Sequence, residues 1–297
     1  MLYEEEGQLV DIILYSPIKI NLILKISERR SDGYHNIYSL FWKKKASERL
    51  TIREDCAEII ADRLIIEGME IPGENLLLRA LAALRKSGSA IPPLEIRLKK
   101  ELPMGSGIGA GSGNAAALLD WLSARYGAAL SQQGIAKLGA DVGFLASGLE
   151  MAEARGTGEI LSDAGKAPEL SWLLVFPRWS SETALAYRKL DELRQGQEKR
   201  PAQRSEKKWS GEAEELLRKL SQGTKVGRLP NDFFELLAAK HPEYLRAEEL
   251  ASAAGAPAWG LCGSGSAFFI LGDKELLREA EYSFAAEPWA AQTKIII

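Results

Sequence analysis

The chain has 297 residues, of which 46% are hydrophobic and 27% charged, a composition typical of a globular protein with one large domain or two packed lobes. Its net charge of -3, from 38 basic and 41 acidic side chains, gives no global electrostatic reason to bind nucleic acid or an anionic membrane. Two cysteines and two histidines are too few for a disulfide framework or a zinc site, so no metal ligands are predicted.

The N-terminal residues and the hydropathy predict a cytoplasmic protein. The chain begins Met-Leu-Tyr-Glu-Glu-Glu, which is acidic where a signal peptide has a basic region followed by an apolar one. No stretch of the sequence approaches the roughly 18 uninterrupted apolar residues of a membrane span. We therefore expect neither secretion nor membrane insertion.

Residues 9–26 are rich in Val, Ile and Leu and are predicted to form two strands or one strand bent at Pro17. Polar Lys19 and Asn21 interrupt this apolar pattern. Because side chains alternate between the two faces of a strand, both lie on the same face of the predicted sheet.

The rest of the first half alternates between strand and helix patterns. In chain order the predicted elements are a turn at 27–34, a hairpin pair at 49–53 and 58–67, a helix at 74–86, a strand at 94–102, a glycine-dense loop at 103–114, and helices at 115–126 and 131–138.

The second half is also mixed, so the sequence predicts an α+β protein in two lobes. A charged stretch, 195–208, is predicted to be an exposed connection. The other predicted elements are strand pieces flanking a turn at 155–158, strands at 171–176, 258–262, 267–271 and 293–297, and helices at 182–194, 211–220, 232–240, 243–254 and 274–285.

Glycines occupy every second position from Gly105 to Gly113, directly before a predicted helix. Glycine tolerates left-handed backbone angles, and its missing side chain lets backbone N–H groups approach an anion. The helix that follows adds unpaired N–H groups and the positive end of its dipole. The loop fits neither the Walker pattern nor the dinucleotide fingerprint. A phosphate cradle is therefore favoured over a simple tight turn.

This loop resembles the Pro-x-Gly-x-Gly-Leu-Gly-Ser-Ser-Ala-Ala loop of the GHMP small-molecule kinases. Here it reads Pro-Met-Gly-Ser-Gly-Ile-Gly-Ala-Gly-Ser-Gly-Asn-Ala-Ala over residues 103–116. The resemblance covers nearly the whole chain and is greatest to the branch that phosphorylates a cytidine-diphosphate-linked polyol. The other matching segments are Pro-Ile-Lys-Ile-Asn-Leu at 17–22, Arg-Ser-Asp-Gly-Tyr-His at 30–35, Gly-Ala-Asp-Val-Gly-Phe at 139–144 and Cys-Gly-Ser-Gly-Ser at 262–266.

The resemblance implies the two-lobe GHMP kinase fold. Residues 1–165 would form a ribosomal protein S5 domain 2-like N-terminal lobe, and residues 166–297 a ferredoxin-like C-terminal lobe. ATP and Mg²⁺ are the implied cofactors, with Mg²⁺ held mostly by phosphates and water because no carboxylate pair stands beside the loop. The implied ATP-binding residues are Asn75, Pro103, Met104, Gly105, Ser106, Gly107, Ile108, Gly109, Ala110, Gly111, Ser112 and Gly113.

The same resemblance implies two catalytic residues. Asp141 would take the proton of the accepting hydroxyl as general base, and Lys19 would keep Asp141 ionised and neutralise charge on the transferred group. Considered alone, Lys19 fits an exposed edge-strand lysine better than a catalytic one, and Asp141 also fits a helix or turn cap.

In the resembled branch, a Tyr-His pair and a later aromatic residue hold a cytosine by stacking and by hydrogen bonds to its edge. His35 follows an Asp-Gly turn and is predicted to be exposed, whereas Tyr187 has the alternative of packing as a core aromatic on the 182–194 helix. The implied substrate-binding residues are Asn21, Tyr34, His35, Asp141, Tyr187, Gly263 and Ser264.

The implied reaction is ATP-dependent phosphorylation of a hydroxyl of this polyol, a step of the non-mevalonate route to isoprenoid precursors. ATP and the polyol are the expected partners, and the oligomeric state stays open. One alternative is a GHMP kinase for another small alcohol, of the mevalonate or homoserine type. The other is a catalytically weakened nucleotide-binding homologue. Departures from the family pattern favour this alternative, and they occur at Ile18, Ala110, Gly113 and Gly143.

Overall fold

A computed structural model describes residues 11–54, 60–69, 73–195 and 202–297. Helices and strands alternate along this part of the chain, as the α+β prediction requires. The strands are β1 (Ile12–Arg29), β2 (His35–Arg53), β3 (Arg63–Gly68), β4 (Glu95–Lys100), β5 (Met151–Arg155), β6 (Ile160–Asp163), β7 (Ser171–Pro177), β8 (Gly227–Arg228), β9 (Ala258–Leu261), β10 (Phe268–Gly272) and β11 (Ala290–Ile296).

The short helix at Ala140–Leu145 was not predicted, whereas the other eight helices described agree with the predicted ones in order. They are α1 (Leu76–Lys86), α2 (Ala110–Tyr126), α3 (Gln132–Leu138), α4 (Ala140–Leu145), α5 (Thr183–Arg194), α6 (Ala202–Ser221), α7 (Phe234–Lys240), α8 (Glu243–Ala253) and α9 (Lys274–Ala285).

The chain divides into two compact units, each built from several stretches of sequence. The first comprises residues 1–18, 45–103 and 109–147, and the second comprises residues 19–44, 104–108 and 148–297. Strands β1 and β2 each contribute residues to both units. These units are not the sequential lobes 1–165 and 166–297, whose boundary stays a prediction.

In the first unit, α1 and α2 pack on strands of a sheet. Residues 49–53 of β2 pair antiparallel with β4, and β4 pairs parallel with β3. Leu77, Leu81 and Leu84 of α1 recur at helical spacing and are buried, together with Leu118 and Leu122 of α2. This apolar core fixes the position of α2 relative to the strands.

The predicted hairpin between 49–53 and 58–67 is wrong, because β4 lies between β2 and β3. Helix α1 connects β3 to β4 as a crossover, and a crossover joins parallel neighbours. The short-range sequence pattern therefore predicted β2 as the neighbour of β3, whereas the neighbour is β4. Residues 55–59 of this segment lie outside the described residues.

The second unit contains a five-stranded sheet in the order β11-β7-β10-β9-β8. Its four long strands pair antiparallel, with helices between β7 and β9 and α9 between β10 and β11. This is the β-α-β-β-α-β arrangement of a ferredoxin-like sheet, as predicted. Phe284 of α9 packs near Phe268 on the buried sheet, with ring centroids 6.4 Å apart.

Several predicted element boundaries are wrong. Strand β2 begins at His35, whereas a strand is predicted only from residue 49. Helix α2 begins at Ala110, five residues before the predicted start, so the last two loop glycines are helical. Residues 202–208 belong to α6 rather than to an exposed connection, because Trp209, Ala213 and Leu216 give this charged helix a buried apolar stripe. Residues 196–201 lie outside the described residues.

Gly113 in α2 packs directly against the backbone of Pro17 in β1. A Cβ at Gly113 would lie 1.7 Å from the Pro17 carbonyl oxygen, which is shorter than any non-bonded contact. The approach of helix to strand therefore excludes every side chain at this position, including the serine that is common in the resembled loop.

Replacing Gly113 with Ala is expected to lower the free energy of unfolding by about 3 kcal/mol, because the added methyl group forces α2 away from β1. Gly111→Ala is the matched control in the same helix, since a Cβ at Gly111 meets nothing within 4 Å. That change should stabilise the protein by roughly 0.5–1 kcal/mol through helix propensity. Urea denaturation measures both values, and equal stabilities of the two variants would contradict this packing.

Candidate active site

Lys19 and Asn21 lie on one face of β1, as their spacing predicts. Both side chains are buried, with residue exposures of 4% and 3%. The Lys19 Nζ donates a hydrogen bond to Asn21 Oδ1 at 2.9 Å and lies 5.2 Å from the ring centroid of Phe41. A buried ammonium needs such partners, so the alternative of an exposed edge-strand lysine is wrong.

The Asn21 amide joins three parts of the second unit. Its Nδ2 donates to the Ser39 hydroxyl on β2 at 2.8 Å, and Ser39 donates in turn to the Ile23 carbonyl at 2.6 Å. Its Oδ1, besides accepting from Lys19, accepts from the backbone N–H of Gly263 at 2.9 Å. Each polar atom of this buried amide is therefore satisfied, and its orientation is fixed.

The loop at residues 263–266, here called the second glycine loop, is held from several directions. Asn231 donates through Nδ2 to the carbonyls of Leu261 and Gly263, at 3.0 and 2.9 Å. Ser181 donates through its hydroxyl to the Ser264 carbonyl at 2.6 Å, and the Ser264 hydroxyl lies 2.9 Å from that of Thr183.

Residues 104–108 of the first glycine loop lie against the second. A Cβ at Gly107 would lie 1.9 Å from the Cys262 carbonyl oxygen, and Gly107 has a φ of 82°, so both contact and conformation require glycine. The Ser106 carbonyl accepts from the N–H of Ala267, and the Ile108 carbonyl accepts from the N–H of Lys19. The two loops and Lys19 therefore form one packed cluster in the second unit.

The start of α2, in the first unit, has the features of an anion site. Its N-cap Gly109 has a φ of 72° and no side chain to cap the helix, and the first turn contains no acidic residue. The first N–H groups of a helix lack intrahelical acceptors, and space is open beside Gly111. Ala110 is helical, so alanine is not strained at this position.

The chain entering this loop is anchored by a buried ion pair, Glu48 with Lys100. Glu48 also accepts from the backbone N–H of Leu102 at 2.8 Å, and Lys100 donates to the Leu102 carbonyl at 2.6 Å. These bonds hold the residue that precedes Pro103. Sequence patterns gave no sign of this pair, because its members are 52 positions apart.

Asp141 lies in the first turn of α4, beside the start of α2. A Cβ at Gly109 would lie 3.3 Å from Asp141 Oδ2, so the carboxylate is adjacent to the end of the glycine loop. Asn75 is the N-cap of α1, where its Oδ1 accepts from the N–H of Leu77 at 2.9 Å. Part of the hydrogen-bonding capacity of Asn75 is thus used by its own helix.

The predicted exposure of His35 is wrong, because its residue exposure is 7%. The imidazole stacks on Tyr187 of α5, with centroids 5.1 Å apart and planes at 26°, and Tyr187 meets Phe233 edge-on at 4.9 Å. Helix α5 covers the imidazole ring. The Asp-Gly turn before His35, on which the predicted exposure was based, contains no information about this distant helix. Tyr34 is 66% exposed, so the predicted Tyr-His pair is divided between surface and interior.

Cys262 is fully buried, and burial raises the pKa of its thiol to about 12 against the opposing effect of the Lys19 charge. A fully buried, protonated thiol packs as a small apolar side chain. Among the described residues no cluster of three or more His, Cys, Asp or Glu side chains is arranged to hold a metal ion. None of the helices described is long and apolar enough to cross a membrane.

Comparison with known proteins gives the family. Residues 75–152 match the GHMP kinases N terminal domain. The chain is 35% identical over 270 residues to the 4-diphosphocytidyl-2-C-methyl-D-erythritol kinase of Moorella thermoacetica, with 88% of this chain and 90% of the relative covered. The chain belongs to this family of GHMP kinases. The Thermotoga maritima relative of the same name is 33% identical, with 91% and 94% covered.

Solved structures agree with membership of the GHMP kinases. A crystal structure of 4-(cytidine 5'-diphospho)-2C-methyl-D-erythritol kinase superposes with a TM-score of 0.75 and 28% identity, covering 96% of this chain and 98% of that one. A homoserine kinase from Cytophaga hutchinsonii shares the fold, with a TM-score of 0.65 and 16% identity, over 100% and 97% of the two chains. The GHMP kinase fold predicted from the sequence is confirmed.

The Cys262 thiol is expected to resist thiol-specific reagents in the folded kinase near neutral pH. Because its pKa is raised to about 12, the unreactive protonated form predominates below that pH. The chain has two cysteines, so a Cys56→Ser variant isolates Cys262. Colorimetric thiol titration should detect no reaction until guanidinium chloride unfolds the protein, and rapid labelling of the folded variant would contradict the assignment.

Proposed function

We propose that this kinase transfers a phosphoryl group from ATP to a hydroxyl of 4-diphosphocytidyl-2-C-methyl-D-erythritol, in the non-mevalonate route to isoprenoid precursors. The observation that carries the proposal is the cluster of Lys19, Asn21 and the two glycine loops. It places a buried cation and a fixed amide against backbone shaped to approach phosphate closely. Relatives that bear this enzyme's name support the choice of substrate.

The first glycine loop and the start of α2 would hold the ATP phosphates. Gly105, Gly107 and Gly109 all have positive φ, and the uncapped helix start presents its N–H groups and the positive end of its dipole. These features fit a triphosphate, with Mg²⁺ coordinated mainly by phosphates and water.

The predicted ATP-binding residues keep that assignment in the proposal. Residues 103–109 form the irregular part of the loop, and Ala110, Gly111, Ser112 and Gly113 form the first turn of α2. Gly113 would act through packing alone, because its contact with Pro17 leaves no room for a side chain and its N–H donates to the Gly109 carbonyl at 2.8 Å. Asn75 would act from the start of α1.

ATP supplies the phosphoryl group when it is bound with Mg²⁺. Asp141 accepts the proton of the substrate hydroxyl and orients that oxygen for in-line attack, which demands little basicity in a loose transition state. Lys19 supplies positive charge to the transferred group. The two residues belong to different units of the chain, and their assignment to one reaction rests on the matching motifs.

The cytidine end of the substrate would be recognised at Tyr34, His35 and Tyr187. The exposed Tyr34 ring offers a face for stacking, and the His35–Tyr187 stack supplies a rigid aromatic wall. Asn21, Gly263 and Ser264 would contact the polyol and its phosphates. Such a site rejects small alcohols that lack a nucleobase.

A coupled ATP-consumption assay across three alcohols tests the proposal. Purified protein should phosphorylate the cytidyl polyol and neither mevalonate nor homoserine. Asp141→Asn should lower kcat by a factor of about 1,000, because the base is lost, while ATP binding persists.

Asp120→Asn is the matched control, since Asp120 is an exposed acid on α2, and it should retain wild-type kcat. Phosphorylation of mevalonate or homoserine in preference to the cytidyl polyol would overturn the substrate. Unchanged turnover in Asp141→Asn would overturn the role of Asp141, and wild-type protein inactive on every alcohol would favour a nucleotide-binding homologue.

A further inference from the structure

The buried His35 ring is held by its edge as well as by its face. Its Nδ1 lies 2.9 Å from the Ser27 carbonyl oxygen, and its Nε2 lies 3.3 Å from Oδ1 of Asp191. The imidazole is 5% exposed and the Asp191 side chain 31%. The carbonyl and the carboxylate are both hydrogen-bond acceptors, so both nitrogens of the ring face protein groups.

Helix α5 supplies two of the contacts that fix this ring. Tyr187 and Asp191 are four residues apart, so they lie on the same face of the helix. Tyr187 stacks on the ring face, while Asp191 contacts the ring edge. Phe233 meets Tyr187 at 84°. The imidazole and Phe233 therefore both pack against the Tyr187 ring and help to set its plane.

This arrangement changes the part that His35 can play toward a nucleobase. Both ring nitrogens already face protein acceptors, so the imidazole has no free nitrogen with which to read the edge of a cytosine. Its contribution is to support the aromatic wall beside Tyr34. The Asp191 carboxylate, which contacts the edge of the imidazole, then contributes to nucleobase recognition without touching the substrate.

We propose that Asp191 is a positioning residue for nucleobase recognition, acting through His35 on the ring of Tyr187. The inference rests on the proposed cytidine-containing substrate and adds a residue that no motif in the sequence singled out. Loss of the Asp191 acceptor releases the ring edge and lets the stack reorient. Affinity for the cytidine end falls, and affinity for the adenine nucleotide is untouched.

Calorimetric titration of the full chain with CDP and with ADP tests this directly. Asp191→Ala should weaken CDP binding about tenfold, the size expected for losing one polar contact to a charged group, and leave ADP binding unchanged. Asp191→Asn keeps an acceptor oxygen and should restore most of the CDP affinity. Glu192→Ala, which removes an exposed acid from the next position of α5, should bind both nucleotides like the wild type.

The chain contains two histidines, so a spectrum of ¹⁵N-histidine-labelled protein reports on His35 with His241 as internal reference. In Asp191→Ala the Nε2 signal of His35 should shift, while the signals of His241 stay in place. Unchanged CDP affinity with an unchanged His35 signal overturns the inference, as does an equal loss of CDP and ADP affinity. Wild-type protein that binds no CDP overturns the proposed function as well.

Discussion

The buried side-chain amide of Asn21 is the interaction on which the candidate site depends. It accepts from the Lys19 ammonium and from the Gly263 N–H, and it donates to Ser39. One amide thus sets the position of a cation, the entry of the second glycine loop and the spacing of two strands. A buried amide with every polar atom paired has one stable orientation, and this orientation also fixes the position of the Lys19 ammonium.

Much of this could be predicted from the sequence because the signals are local. The spacing of Lys19 and Asn21 placed them on one strand face, and the alternate glycines marked a backbone that approaches other groups closely. The structure adds what each glycine approaches. Gly107 faces the Cys262 carbonyl and Gly113 the Pro17 carbonyl, so these two glycines serve protein packing, whereas the space beside Gly111 is open.

What could not be predicted depends on partners distant in the chain. The turn before His35 suggested exposure, but α5 covers the ring with Tyr187 and Asp191, more than 150 positions later. The strand pairing of β3 likewise followed from the crossover through α1 rather than from the nearest turn. The Asn231 contacts that hold the second glycine loop join residues 30 or more positions apart, so local sequence patterns do not predict them.

Hydrogen exchange at the Gly263 amide tests the role of Asn21 most directly. In Asn21→Leu, which keeps a similar volume and removes the acceptor, the Gly263 N–H should exchange at least about tenfold faster than in the wild type. The Leu229 N–H, which donates to the Trp259 carbonyl away from Asn21, should exchange at the wild-type rate. Unchanged protection of Gly263 would contradict the account, because the loop would then be held without the amide.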